Sequence, residues 1–152
     1  MEDGFDCLGQ HRRQDAGKLL ITPARKHRQR FLGHIRDMVK AHKQTTAGTL
    51  MAPLHPVSRG WANDHCHGVS KATFIKVDTA ICRSLWSWAT RRHPKKSGRW
   101  VAKQYFRPHN GRPWTFVGPC AGPQGQPYER ALRRAGDVPM PRHVKIPGAA
   151  NP

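Results

Sequence analysis

Carboxylates are where polymerase or hydrolytic chemistry would have to begin, and the 152 residues hold nine of them. They are Glu2, Asp3, Asp6, Asp15, Asp37, Asp64, Asp78, Glu129 and Asp137. Nucleotide polymerisation needs paired aspartates that hold two magnesium ions. No adjacent aspartate pair stands on a strand turn, and Glu2-Asp3 reads as a solvated terminus. His65-Cys66-His67 gathers metal-type donors. Neighbouring helical residues point apart, so the three cannot all reach one ion, and a zinc site would need distant partners. A Cys–His nucleophile here lacks an oxyanion hole and an orienting acid. The sequence therefore predicts no catalysis, no metal site and no cofactor for this chain.

Cations and aromatics are the other chemistry-bearing set. Lys and Arg number 27, for a formal net charge of +18. So basic a body is stabilised by a polyanion, and nucleic acid is the expected partner. No stretch approaches the ~20 apolar residues of a membrane span, and Met1-Glu2-Asp3 does not open a signal peptide. The four cysteines, Cys7, Cys66, Cys82 and Cys120, form no Cys-x-x-Cys pair. Reduced thiols and a cytoplasmic location are expected. Four of the five tryptophans lie between Arg59 and Phe106, beside the basic run Arg91-Arg92-His93-Pro94-Lys95-Lys96-Ser97-Gly98-Arg99. Trp61, Trp86 and Trp88 are expected to pack in a core, and Trp100 to be the best base-stacking candidate.

The elements that would position these groups are mostly helical. Phe5–Leu8 and Leu19–Ile21 read as two strands around a polar segment, with a turn at Asp15-Ala16-Gly17. Thr22-Pro23 reads as a helix start. From there to about His42, Phe31, Leu32, Ile35, Met38 and Val39 share one arc, with Arg25, Lys26, Arg30, Arg36 and Lys40 opposite. Thr45-Thr46 should cap a short helix, kinked or stopped near Pro53, with a third helix from Pro56 to about Gly68. Ser70 should cap the longest helix, about Lys71 to Arg92. Its stripe is Phe74, Val77, Ile81, Leu85 and Trp88, with Lys76, Arg83 and Ser87 facing outward. Asp78, at the stripe's edge, is expected to pair with Lys71 or Arg92. Ser97 should cap a helix to about Phe106. Nine of the 13 prolines lie from Pro108 onward. Asn110-Gly111 marks a turn, Trp114–Phe116 and Arg142–Ile146 are strand candidates, and Tyr128–Ala135 reads as one or two helical turns. The expected fold class is mainly α: a small helical thumb-like bundle, a short N-terminal β-hairpin and an irregular basic C-terminal tail. The expected boundaries are 1–22, 23–106 and 107–152.

The wording also resembles the maturase-specific domain of group II intron reverse transcriptases, the thumb that follows the polymerase palm. Gly60-Trp61-Ala62-Asn63, Val69-Ser70-Lys71, Leu85-Trp86 with Trp88-Ala89, Arg91 to Lys96, and Trp100-Val101 stand in that family's order. Gly4 to Gly9 with Gly17 to Ile21 is similar to its last palm motif. Arg142 to Ile146 and Ala150-Asn151-Pro152 resemble the start of its DNA-binding region. Asp64 and Cys66 depart from the aromatic and basic residues common after Trp-Ala-Asn, and His55 and Ser58 depart as well.

The resemblance implies binding of intron RNA to assist its folding and splicing. In a full-length parent, which uses magnesium, it implies gripping of template and primer. It also implies that the polymerase aspartates and the nuclease module belong to other segments. The RNA-contact residues expected are Arg25, Lys26, Arg30, Arg59, Lys71, Arg91, Arg92, Lys95, Lys96, Arg99 and Trp100. Group II intron RNA is the expected partner, with a DNA target or a separate palm domain as further partners and no membrane. The alternatives are one piece of a split reverse transcriptase, or a fragment without function.

Overall fold

A computed structural model describes residues 4–15, 18–68 and 70–141. The described residues form four α-helices and two three-stranded antiparallel sheets, so the fold is mixed rather than mainly α. The first sheet is a meander of β1 (Phe5–Cys7), β2 (Gln10–Asp15) and β3 (Lys18–Pro23). The polar segment that was expected to link two strands is itself the central one. Leu8 and Gly9, both at positive φ, make the two-residue turn between β1 and β2.

Helix α1 (Arg25–Ala41) starts after this sheet, not at Thr22-Pro23, because Pro23 is still paired with Gln10. It buries Phe31, Ile35 and Val39. Helix α2 (Ala47–His65) is capped by Thr46, whose hydroxyl accepts from Thr49 N–H at 3.2 Å. It runs unbroken through Pro53 and Pro56, where a break was expected. Each interior proline costs about 3 kcal/mol in a helix. Leu50, Met51, Leu54, Trp61 and Ala62 all lie buried along α2. Burial of large side chains at roughly 1.5–3 kcal/mol each outweighs both prolines. Helix α3 (Lys71–Arg92) carries the expected stripe, with Phe74, Val77, Ile81, Leu85 and Trp88 buried. Ser70 takes its N-cap position without a side-chain bond. Helix α4 (Gly98–Tyr105) starts at Ser97, whose hydroxyl accepts from Trp100 N–H at 3.3 Å.

The segment expected to be irregular folds as the second sheet, β4 (Phe106–His109), β5 (Arg112–Ala121) and β6 (Pro127–Ala131). Asn110 and Gly111, both at positive φ, turn β4 into β5. The prolines that disguised these strands sit where they do little harm. The N-terminal half of β5 pairs with β4 and the C-terminal half with β6, so each half has one edge unpaired by the other described strands. A residue without an N–H is tolerated there. Tyr128–Ala135, expected to be helical, is the end of β6 followed by a 3-10 turn at Ala135–Asp137. The strand candidate at 142–146 lies outside the described residues.

This sheet is part of the core. Phe106, Phe116, Leu132 and Ala135 are buried with the helix residues. Two glycines permit the contact between α2 and β5. A Cβ on Gly48 would lie 2.0 Å from Pro119 O, and one on Gly118 would lie 2.5 Å from the Cβ of Ala47. Beyond β6, the Asp78 carboxylate accepts from Ala135 N–H at 2.8 Å and Gly136 N–H at 3.1 Å. Asp78 therefore ties α3 to the 3-10 turn and makes no salt bridge to Lys71 or Arg92. Its two oxygens each accept one of these backbone N–H groups.

Two predictions follow from these joints. Gly48→Ala and Gly118→Ala should each lower stability by about 1–3 kcal/mol in urea unfolding, since backbone must move to admit the methyl. Unchanged midpoints would show that the α2–β5 contact is looser than drawn. Burial pushes the Asp78 carboxyl above its ordinary range, against the two backbone bonds and Arg134. The folded chain then takes up this proton more readily than the unfolded chain. Stability from this group is present below the unfolded pKa and is lost as pH rises through the folded one. The stability difference between wild type and Asp78→Asn should move in favour of wild type as pH falls from about 7 to about 4. A difference that is flat or moves the other way would contradict the burial.

Candidate nucleic-acid interface

Helices α1 and α3 meet at their C-terminal halves, and the geometry there is set by hydrogen bonds to the end of α1. Trp88 Nε1–H donates to the His42 carbonyl at 2.9 Å, and Thr45 Oγ donates to the same oxygen at 3.1 Å. Arg92 crosses from α3 and donates to the Thr45 carbonyl at 2.6 Å. Its guanidinium also lies over the Trp88 ring, 5.3 Å from the centroid. These bonds leave an open groove of about 450 Å³ between the helices. Arg36, Lys40 and Lys43 line one wall, and Arg83, Arg91 and Arg92 the other. Ser84 and Ser87 add hydroxyls, and Val39 and Trp88 form apolar floor. No carboxylate lines it among the described residues. Cations at this spacing with nothing to neutralise them suit a run of phosphates, to which they give affinity and salt dependence.

Helix α3 continues into a second basic segment. His93 is fixed by a 2.8 Å bond to Tyr105 Oη and by its ring contact with Trp100. That anchors the loop which presents Lys95, Lys96 and Arg99, all exposed. Trp100 is 37% exposed, with the Lys96 ammonium over its ring at 5.4 Å. Trp61 and Trp88 are buried as expected.

The expected RNA-contact residues are thus not gathered in one place. Arg91 and Arg92 line the groove, and Lys95, Lys96, Arg99 and Trp100 follow it in the chain. Arg25, Lys26 and Arg30 sit near the start of α1, and Lys71 begins α3. Arg36 lies about 17 Å further along α1 than Arg25, at 1.5 Å per residue. Arg59 faces a separate cleft of about 820 Å³ beside β6. That cleft is mixed in charge: Asp137 pairs with Arg112, and Glu129 with Arg107. Arg36, Lys40, Lys43 and Arg83 were not among the expected contacts. Three of them had been read as outward-facing cations, which was the available signal. Their convergence needs the packing of α1 on α3.

His65 has both ring nitrogens engaged. Nδ1–H donates to the Trp61 carbonyl at 2.8 Å, and Nε2 accepts from His27 Nδ1 at 3.3 Å. The ring also stacks on Trp61, with centroids 4.6 Å apart. Burial, then His65 and Arg30, hold the His27 pKa below its ordinary value, with Asp64 opposing. This histidine pair is a packing element between α1 and α2. Among the described residues no three His, Cys, Asp or Glu side chains gather as a metal site, and no helix is long and apolar enough to cross a membrane.

The two adjacent arginines should separate by their bonds. Arg92→Met removes the donor from the Thr45 carbonyl and from that of Lys43, which Arg92 also reaches at 3.4 Å, and should cost about 1–2 kcal/mol of stability, whereas Arg91→Met should cost under about 0.5 kcal/mol. Urea unfolding of both variants checks this, and equal losses would contradict the assignment of Arg92 as the residue that holds the groove together.

Compared with known families, residues 28–106 match the model of the group II intron, maturase-specific domain. No curated protein matches the chain. The matched span is more than half of the 152 residues. It covers α1 from Arg28, both walls of the cationic groove and α4. The chain belongs to the group II intron maturase-specific domain family.

Proposed function

We propose that this chain binds the structured RNA of a group II intron, assisting its folding and splicing, with the α1–α3 groove as the principal phosphate contact. The observation that carries the reading is the groove itself: five cations from two helices, Lys43 just past the end of α1, and no carboxylate among the described lining residues. Lys95, Lys96 and Arg99 extend the contact past the end of α3, and Trp100 offers a ring beside them. Arg25, Lys26, Arg30 and Lys71 would meet a second stretch of backbone, as a structured RNA can reach both ends of one helix. Phosphate contacts alone carry no sequence information, so discrimination would come from RNA shape. In a longer parent the same surface would grip template and primer.

A second reading has its own support. On the first sheet Phe5 is 62% exposed and Leu8 93% exposed. These side chains would suit docking on a separately made palm, which would make the chain one piece of a split reverse transcriptase. Polymerase activity that appears only on mixing the chain with such a palm would favour it.

The groove reading is tested by the salt dependence of RNA binding. Each phosphate neutralised contributes roughly 0.7–0.9 to the slope of log K against log salt. Replacing Arg36, Lys40, Arg83 and Arg91 together by glutamine should flatten the slope by about 3. The affinity should fall ~100-fold or more at ~0.1 M salt. A preference of ~10³-fold for group II intron RNA over an unrelated duplex would separate specific recognition from a generic polycation. An unchanged slope in a folded quadruple variant would remove the groove from the account.

A further inference from the structure

On the other side of the Arg83–Ser87 ridge of α3 lies a second groove, of about 720 Å³, and its chemistry is different. Arg83 and Ser87 line both grooves, so the two adjoin across this ridge. Ile75, Trp86 and Trp114 give the second one an apolar, aromatic lining. Ile75 is 58% and Trp114 44% exposed, an unusual amount for large apolar side chains facing a groove. Trp114 is nonetheless held rigidly. Phe106 stacks on it with centroids 4.8 Å apart and planes 17° apart, Trp86 lies 6.0 Å away, and the Arg134 side chain donates to its carbonyl. Among the described residues Arg83 and Arg134 are the cations at this groove, and its one carboxylate, Asp78, is occupied by the amides of Ala135 and Gly136.

Resting on the reading that the α1–α3 groove holds an RNA backbone, we infer that the Trp86–Trp114 groove receives an unpaired base from that same RNA. A fixed indole with an open face, next to a line of cations, is the arrangement on which splayed bases stack. The phosphates would lie among Arg36, Lys40 and Arg91, and the base would cross the ridge at Arg83 and Ser87. The substrate class is then RNA in which a helix is interrupted by an unpaired nucleotide. Continuous duplex would use the cationic groove alone. Trp114 comes from β5, so that wall of the groove lies beyond the 28–106 span that matches the family, whereas Trp86 on α3 lies within it.

The test uses a short RNA duplex with one unpaired 2-aminopurine and the same duplex with an abasic residue at that position. Wild-type chain should bind the first ~10-fold more tightly, with the fluorescence of the base quenched on binding. Trp114→Phe should keep most of that ratio, and Trp114→Leu should bring it to about one. Ile75→Glu, at an exposed position that the fold tolerates, should also collapse the ratio. Equal affinity for the two probes with an unquenched base, while salt-sensitive binding persists, would overturn the stacking site and leave the phosphate groove standing. Failure to bind either probe even at low salt, where the cationic groove should hold any duplex, would overturn both.

Discussion

The apolar stripe of α3 is the interaction on which the rest of the molecule depends. Phe74, Val77, Ile81, Leu85 and Trp88 are all buried, and each contributes roughly 1.5–3 kcal/mol by leaving water. Different elements meet this helix on different flanks. α1 packs along it and leaves the cationic groove. The β4–β5 hairpin and the 3-10 turn pack beside it and leave the aromatic groove. Arg83 and Ser87 stand on the ridge between, so one buried stripe aligns two surfaces of different chemistry. Trp88 links the interior to the function directly. Its ring is core, its Nε1–H fixes the end of α1, and its face carries Arg92.

Charge is the opposing constraint. With 27 Lys and Arg against nine acids, the fold cannot pair its cations internally. Asp6 meets His11 in the first sheet, and three further acids act near the second sheet. Glu129 and Asp137 hold arginines, and Asp78 holds backbone amides. The α1–α3 groove keeps its cations free of such partners among the described residues, at a cost in mutual repulsion that a bound polyanion would relieve. Membership of the maturase-specific family makes intron RNA the polyanion that would fit this arrangement, and the groove is the face proposed to meet it.

Much of the helical part was legible in the sequence, because a buried face writes a 3.6-residue period. The stripe of α3, the arc of α1 and the caps at Thr46 and Ser97 could be read directly. The sheets could be read only in part: strands at Phe5–Leu8, Leu19–Ile21 and Trp114–Phe116 and the turn at Asn110-Gly111 were legible, the rest was not. In β2 the run Gln10–Asp15 is almost wholly polar and owes its conformation to pairing with β3. In β5 the prolines suggested a loop, and only the division of that strand between two partners makes them harmless. The unbroken α2 shows the same override, since tertiary burial outweighs two interior prolines. Arg91 and Arg92 were legible as a site because they are adjacent in sequence. Arg83 lies on the same helix two turns earlier, Arg36 and Lys40 come from α1, and Lys43 lies beyond its end, so the meeting of the two walls is a product of packing. Asp78 was read as a salt-bridge partner because its true partners, two amides some sixty residues away, leave no side-chain signature.

The most direct test of the central claim is lysine-specific chemical footprinting of the intact chain, with and without structured group II intron RNA. Shielding of Lys40 and Lys43 by RNA, stronger than that of Lys26 and Lys71, is the result this account predicts. If Lys26 and Lys71 are shielded while Lys40 and Lys43 react as in the free chain, the RNA lies at the other end of the helices and the α1–α3 groove is not its binding surface.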